Sequence, residues 1–477
     1  MMRTAILVMG LVLSGCASLP QLDPPPALRD PAGLAGAAVL AADEGDFPTD
    51  RWWLMLGDPA LDQLVGEGLA ASPDLAGAAA RARRAASFQD QAQAALLPTL
   101  AAEANGAGVR ISQNQGFPPG LIPGSLLSRG RIAALAEFDL DLWGRKRSAL
   151  AAATSAAQAA QADMAQARLL LISAIVAAYI DLDQLFARRS LAEAALDIAR
   201  QEQALVASRA AQGLENNAAT SRAESQTSRA ELELAAIDEA IALSRNALAA
   251  LAGAGPDRGL AIVRPTLAEP RSLALPANLP VDLVGRRPDL VAARLRAESA
   301  AAGIGAARAN FYPDINLAAL VGLEAIGIDN LFSGSSLIAN VGPALRLPLF
   351  DGGAARAGYR SARAEYDEAV SQYNAVLIDA VRQVADAVAS KRSLADQIGA
   401  ARRAADGVQA SLSVASERYA AGLVDRRSVL AAERELIAAR AALVALNSRN
   451  HQADAALAVA LGGGFMADSA STSEPER

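Results

Sequence analysis

Few side chains in this sequence are equipped for chemistry. It holds one cysteine, Cys16, and one histidine, His451, in 477 residues. A lone thiol forms no internal disulfide and builds no zinc site by itself. Glu433 and Glu435 are two apart, so a helix would place them on different faces, a poor geometry for paired acid–base work. There is no P-loop, no GxSxG, no HExxH and no run of ligands at metal spacing. Catalysis, a resident metal and an organic cofactor are therefore not expected. His451 stands alone on a helix pattern and reads as a surface or packed residue.

The surroundings of Cys16 give its thiol a use. Met1–Arg3 are a short basic start, Ala5–Leu13 an apolar run, and Ser14-Gly15 are small residues before the cysteine. That order is a signal peptide over 1–15. Leu13-Ser14-Gly15-Cys16 resembles the lipobox of bacterial lipoproteins. The resemblance implies a diacylglycerol on the sulfur of Cys16, with palmitate as a further acyl chain, and a mature chain starting there. Two or three acyl chains anchor stably, at about 0.8 kcal/mol per buried CH2. Ala17 follows where an aspartate would resemble an inner-membrane retention signal, which favours the outer membrane.

The rest is alanine-rich, with 4% aromatic residues and 52% apolar residues, a composition of long helices packed through small side chains. Net charge is −7 without a block of one sign, which argues against a nucleic-acid partner. The most apolar mature run, Leu169–Ile180, is shorter than the roughly 20 residues a spanning helix needs. A membrane crossing would have to use strands.

The chain is a duplication. Pro73-Asp74-Leu75 returns as Pro288-Asp289-Leu290, and Pro98 as Pro313, both 215 residues on. Gln212-Gly213-Leu214 matches Ala421-Gly422-Leu423, and Ala252-Gly253 matches Leu461-Gly462, both 209 residues on. Such a series marks two copies, 58–255 and 282–464. A segment 16–57 precedes them, a Pro-rich irregular connector 256–281 joins them, and a flexible tail 465–477 follows. Each copy holds two strands of alternating character, about 98–111 and 130–142, then 313–324 and 336–349. Strands of about 10 residues with one apolar face suit a transmembrane barrel. A soluble sheet with one wet face is the alternative. Helices are expected over 144–211, 217–252, 354–420 and 426–461. Their apolar residues step by three and four, as Ile172, Ile175, Tyr179 and Leu182 do, which is a coiled-coil seam. The first could reach about 100 Å. Four strands cannot close a barrel, and an open edge in lipid leaves backbone groups unpaired. A barrel would have to be shared between copies. Two would supply eight strands and three would supply twelve, and the pattern alone does not choose.

The stretch Arg286–Leu317, RRPDLVAARLRAESAAAGIGAARANFYPDINL, resembles the signature of the outer-membrane factor (TolC-like) family, in its lipoprotein branch of multidrug and metal efflux channels. Trp52-Trp53 with Asp58-Pro59 and Leu61, the turn Leu347–Gly353, and Arg418-Tyr419 with Gly422-Leu423 resemble further segments of it. The resemblance covers essentially the whole mature chain. It implies an α+β membrane fold, with a periplasmic α-barrel of long coiled-coil helices and a β-barrel shared by a homotrimer. It implies a passive exit duct in the outer membrane, docked through its helical tips on a periplasmic adaptor that holds an inner-membrane pump. A lipid-anchored coiled-coil scaffold and the duct of a type I protein secretion system are the alternatives. Arg209, Gly213, Leu214, Arg418, Tyr419, Gly422 and Leu423 are the candidate adaptor-binding tips; the glycines also suit helix ends. Asp139, Asp141, Asp314, Asn316 and Arg346 are candidates for the lumen, with Asp425 for the gate. Two positions depart from the family pattern. Arg294 stands where an acid is common, and Ala431 stands where many members carry the acidic ring of the gate. Cargo and the particular pump are not legible.

Overall fold

The computed structural model describes residues 19–34, 43–110, 112, 126–270, 274–276 and 279–466. Cys16, the expected signal segment 1–15, most of the loop 111–129, and the tail from 467 onward lie outside the described residues. The elements in chain order are β1 (Asp43–Glu44), α1 (Pro59–Ala71), α2 (Pro73–Ala94), β2 (Thr99–Val109), β3 (Leu127–Asp139), α3 (Arg145–Ala211) and α4 (Asn217–Leu251). Then come α5 (Pro256–Leu260), β4 (Ala274–Leu275), α6 (Leu279–Arg286), α7 (Pro288–Ala309), β5 (Asp314–Ile326), β6 (Leu337–Arg346), α8 (Ala354–Ala420) and α9 (Arg426–Ala460). Equivalent helices in the two halves have equal lengths: 22 residues for α2 and α7, 67 for α3 and α8, and 35 for α4 and α9.

The chain divides into two compact units. One holds residues 82–160 and 293–372 with the segment up to Leu28. Its centre is an antiparallel sheet in the order β2-β3-β5-β6, with the two halves meeting at β3–β5. Among the described residues, β2 and β6 each have only one partner strand.

The other unit holds 29–81, 161–292 and everything from Tyr373 on. Its core gathers Trp52, Trp53 and Leu56 from a short 3-10 turn, Leu61, Leu64 and Val65 from α1, and Leu169, Ile172, Ile175, Val176, Tyr179 and Ile180 from α3. Leu182 and Ala192 of α3, Ile237, Ile241 and Leu248 of α4, Ala252, Ile262, and Ala455 and Ala458 of α9 complete it. This placement explains the most apolar run of α3. An 18-residue window of that helix has mean hydropathy 1.8, enough to cross a membrane by composition. Leu169, Ile172, Ile175, Val176, Tyr179 and Ile180 of that helix are buried in this core with the N-terminal turn and α1.

Asp58 ties this core together. Its carboxylate caps α1 through Ala60 N (2.9 Å) and accepts from Tyr179 Oη (2.7 Å) and Thr266 N (2.7 Å). Burial alone would push its pKa up. The hydrogen bonds from Thr266, Tyr179 and Ala60 outweigh burial and hold it below the usual carboxylate range.

Three expectations need correction. The connector 256–281 is not wholly irregular. Pro256, with its φ already helical, starts the one-turn helix α5, and Gly259 lies so close to the Arg245 backbone that a Cβ would sit 2.9 Å from its carbonyl oxygen. Farther on, β4 pairs in parallel with β1, and α6 begins inside the stretch. Second, β3 runs from Leu127 to Asp139 rather than 130–142. Leu127 and Ser128 still pair with Val109 and Gly108, whereas the chain leaves the ladder at Asp141, whose φ is +43°. Third, β6 ends at Arg346, before Pro348, which has no N–H for a ladder.

Asp58→Asn should lower the unfolding temperature in detergent, by the equivalent of about 2 kcal/mol for hydrogen bonds to a charged acceptor. Because the folded pKa of Asp58 is depressed, its contribution is present above the unfolded value of 3.8 and is lost as pH falls through the folded one. The variant should lack that acid-side loss, as circular dichroism melts across pH 5 to 2 would show.

Candidate functional site: a two-faced sheet and two helical turns

Residues directly opposite in a ladder share a face, so register assigns every strand side chain to one side. Arg131 faces Asn105 on β2 and Glu324 on β5; Glu137 faces Thr99 and Ala318; Asp139 faces Asn316; Asp314 faces Arg346. All the charged residues of the four strands fall on this side: Glu103, Arg129, Arg131, Glu137, Asp139, Asp314, Glu324 and Arg346. The other face carries Leu100, Ile132, Ala134, Phe138, Leu317, Val321, Leu337, Val341 and Leu345, and no charge at all. Several of these are open to the surroundings, among them Leu100 (79% exposed) and Val341 (83%). A soluble sheet with one wet face would bury the apolar side on its own core. Here, among the described residues, Leu100, Leu317, Val321 and Val341 on that side stay exposed. Charges facing lipid would cost up to about 2–4 kcal/mol each, and none is placed there.

Of the lumen candidates, Asp139, Asp141, Asp314 and Arg346 line one cavity of about 330 Å3 at the end of the sheet where the helices begin. None of these acids is a bare charge. Asp139 is bound by Arg145 Nη2 (2.9 Å) and Lys146 Nζ (3.2 Å), and Asp314 lies 3.9 Å from Arg145. Asp141 stands outside β3 and accepts from Lys146 N (2.9 Å) and Arg147 N (3.0 Å), which makes it the cap of α3. Asn316 sits on the charged face but does not line the cavity. Beside it Trp143 stacks on Tyr312 at 4.5 Å and donates to Pro313 O (2.8 Å), an amphipathic pair of the kind found at membrane–water boundaries.

The candidate tips fall at the reversals between long helices. Gly213 and Gly422 have φ of +74° and +72°, the left-handed cap that a side chain would strain. Leu214 N donates to Arg209 O and Leu423 N to Arg418 O, both at 2.9 Å. Leu214 (60% exposed), Leu423 (74%) and Tyr419 (45%) therefore project from the two turns. Asp425, the gate candidate, caps α9 by accepting from Ser428 N (3.1 Å). Hydrogen bonds from the Ser428 backbone and hydroxyl hold its pKa below the usual range. Ala431 is exposed on α9.

Sequence reasoning missed Glu215. It lies in the first turn, yet it accepts from Arg427 at the start of α9 as well as from Arg209 (3.2 Å). Those hydrogen bonds, Arg427 first, hold its pKa down. Arg434–Glu202 (2.9 Å) and Arg426–Gln201 (2.8 Å) continue the same α3–α9 seam. No spacing rule links residues more than 200 apart, so nothing in the sequence signalled these pairs. His451 is buried, and burial, then the Lys391 charge, lower its pKa to about 4, so it is neutral at physiological pH.

A sheet with one charge-free face and one charged face, open at both edges among the described residues and continuing into paired long helices, fits a membrane-channel subunit completed by other subunits. Comparison with known proteins gives the class its family. Residues 64–254 and 279–463 match the family described as outer membrane efflux protein. The multidrug resistance outer membrane protein MdtP of Shigella flexneri is 31% identical over 463 residues, covering 96% of this chain and 95% of that one. The fusaric acid resistance protein FusA of Burkholderia cepacia is 36% identical over 366 residues, 76% of this chain and 69% of that one. The crystal structure of the outer membrane protein VceC from Vibrio cholerae superposes with a TM-score of 0.80 at 38% identity, covering 88% of this chain and 100% of that one. The chain belongs to the outer membrane efflux protein family, and it is an outer-membrane efflux duct.

Glu215→Gln and Arg427→Ala should each raise resting conductance in planar bilayers, roughly a few-fold for an exposed pair. The double variant should rise no further than Glu215→Gln alone, which already removes the bond to Arg427.

Proposed function

We propose that three copies of this chain close a twelve-stranded barrel whose charged face lines a water-filled lumen, and that the duct carries solute passively. The observation that carries this reading is the segregation of charge between the two faces of an open sheet. Twelve strands leave room for a channel, whereas eight give an interior filled by side chains. The long helices extend the conduit into the periplasm as an α-barrel. The duct holds no energy source of its own in this reading. An inner-membrane pump delivers solute, and a periplasmic adaptor docks on Leu214, Tyr419 and Leu423. Three features support the docking surface: these side chains project, the adjacent Gly213 and Gly422 leave room for close approach, and the arginines of the last helical turns, Arg209 and Arg418, flank them. Opening requires a rearrangement of helix packing at the narrow end, where the Glu215–Arg427 contact lies.

Cys16 carries the lipid in this reading. Segments downstream of it lie against α8: Asp23 O accepts from Arg363 Nη2 (3.1 Å), and Arg29 N donates to Asn374 Oδ1 (2.8 Å). Cys16→Ser should abolish incorporation of labelled palmitate into the protein.

Leu214→Glu with Leu423→Glu alters two exposed residues and no left-handed glycine. In a deletion strain, this variant should assemble as the natural protein does yet restore no dye or antibiotic export. Normal export by it would sink the tip assignment.

A further inference from the structure

The loop between β5 and β6 does not lie over the charged face. Gly130 is on the charge-free face, in line with Ile132 and Ala134. A Cβ on Gly130 would meet Leu331 Cδ2 at 3.1 Å and Ile328 Cγ1 at 3.4 Å. Ser128 is also on that face, and its hydroxyl accepts from Ile328 N (3.0 Å) while its carbonyl accepts from Gly327 N (2.6 Å). Ser336 Oγ donates to Asn330 O (2.7 Å), and Ser333 N to Asn330 O (3.0 Å), which fixes the loop's own shape. Across the sheet Leu126 takes a similar position, 3.3 Å from where a Cβ of Gly108 would stand, on the same face. Glycine at 108 and 130 makes the room for both. Leu331 is buried by this packing, whereas Phe332 is 78% exposed, Ile328 50% and Leu126 72%. The loop stands at the end of the sheet away from the helices, where β3 starts and β5 ends.

We propose that Ile328, Phe332 and Leu126 form an anchor in the outer leaflet, taking the acyl chains of its lipids as ligand and holding the β5–β6 loop away from the duct mouth. The occupant follows from continuity. The patch prolongs a face that carries no charge along the full length of four strands, and lipid covers that face in the duct reading, on which this inference rests. The acyl region fits better than a phosphate headgroup, because the loop's one ionisable side chain is the acid Asp329. A lid would need the loop on the opposite side, over Arg129 and Arg131. The hydrogen bonds to Ser128 hold it on the apolar side.

The test is spin-label accessibility on the full chain reconstituted in phospholipid vesicles. Phe332→Cys is labelled beside Val341→Cys, at mid-strand on the charge-free face, and Asn340→Cys, on the charged face. The unsubstituted chain gives the background from Cys16. At position 332, collision with oxygen should exceed collision with a water-soluble nickel chelate, as at 341 and in contrast to 340. Chelate collisions equal to or above those of oxygen at 332, with 341 still lipid-like, would overturn the anchor and leave the duct reading standing. Chelate access at 341 as well would overturn both. An exposed loop residue replaced by a small one leaves the fold intact, and unchanged oligomer mobility of the labelled variants would verify this.

Discussion

An unfinished sheet governs the rest of this molecule. Four strands in the order β2-β3-β5-β6 end in two edges whose backbone groups find no partner strand among the described residues. In water such an edge is tolerated. In lipid each unpaired group costs several kcal/mol, so only closure through neighbouring subunits satisfies it. The fold is therefore incomplete as one chain. The equal helices of the two halves are the counterpart of this incompleteness. A 67-residue helix whose apolar residues step by threes and fours exposes that stripe to water unless helical partners cover it along its length. Within the chain, α3 finds them in α4 and α9, by Arg189–Asp238 and by Arg434–Glu202.

The distribution of charge follows from the same constraint. Acids and arginines of the strands all take one face of the sheet, and at its helix end basic residues at the start of α3 neutralise the acids. Asp139 and Asp141 offset a run of three basic residues, Arg145, Lys146 and Arg147, placed at the N-terminus of α3, where the helix dipole disfavours cations. Acids that look from sequence like free lumen charges are thus partly structural. The same holds for Asp425, whose first task is to cap a helix. With alanine at 431, the contact of Glu215 with Arg427 gives the turns a charged link at another place.

How much of this was legible depended on whether a feature leaves a periodic trace. The strands were readable because their side chains alternate with period two, and the helices because Ile172, Ile175, Tyr179 and Leu182 repeat by threes and fours. The glycines of the turns were readable because only a left-handed cap explains them between such helices. Pairings without a trace were not. Glu215 with Arg427, Asp58 with Tyr179 and Thr266, and Ser128 with Ile328 each join positions far apart in sequence through single side chains. The parallel pair β1–β4 is two residues long, too short for any pattern. The short helix α5 was hidden by a proline that reads as a breaker in a connector but starts a helix at its first position.

The most direct test of the central claim is the mass of the assembly extracted in mild detergent, measured before and after boiling in SDS. Three chains are expected before boiling, resistant to SDS in the cold, and one chain after it. A monodisperse single chain before boiling would mean that the sheet edges are satisfied in some other way, and the shared barrel would have to be abandoned.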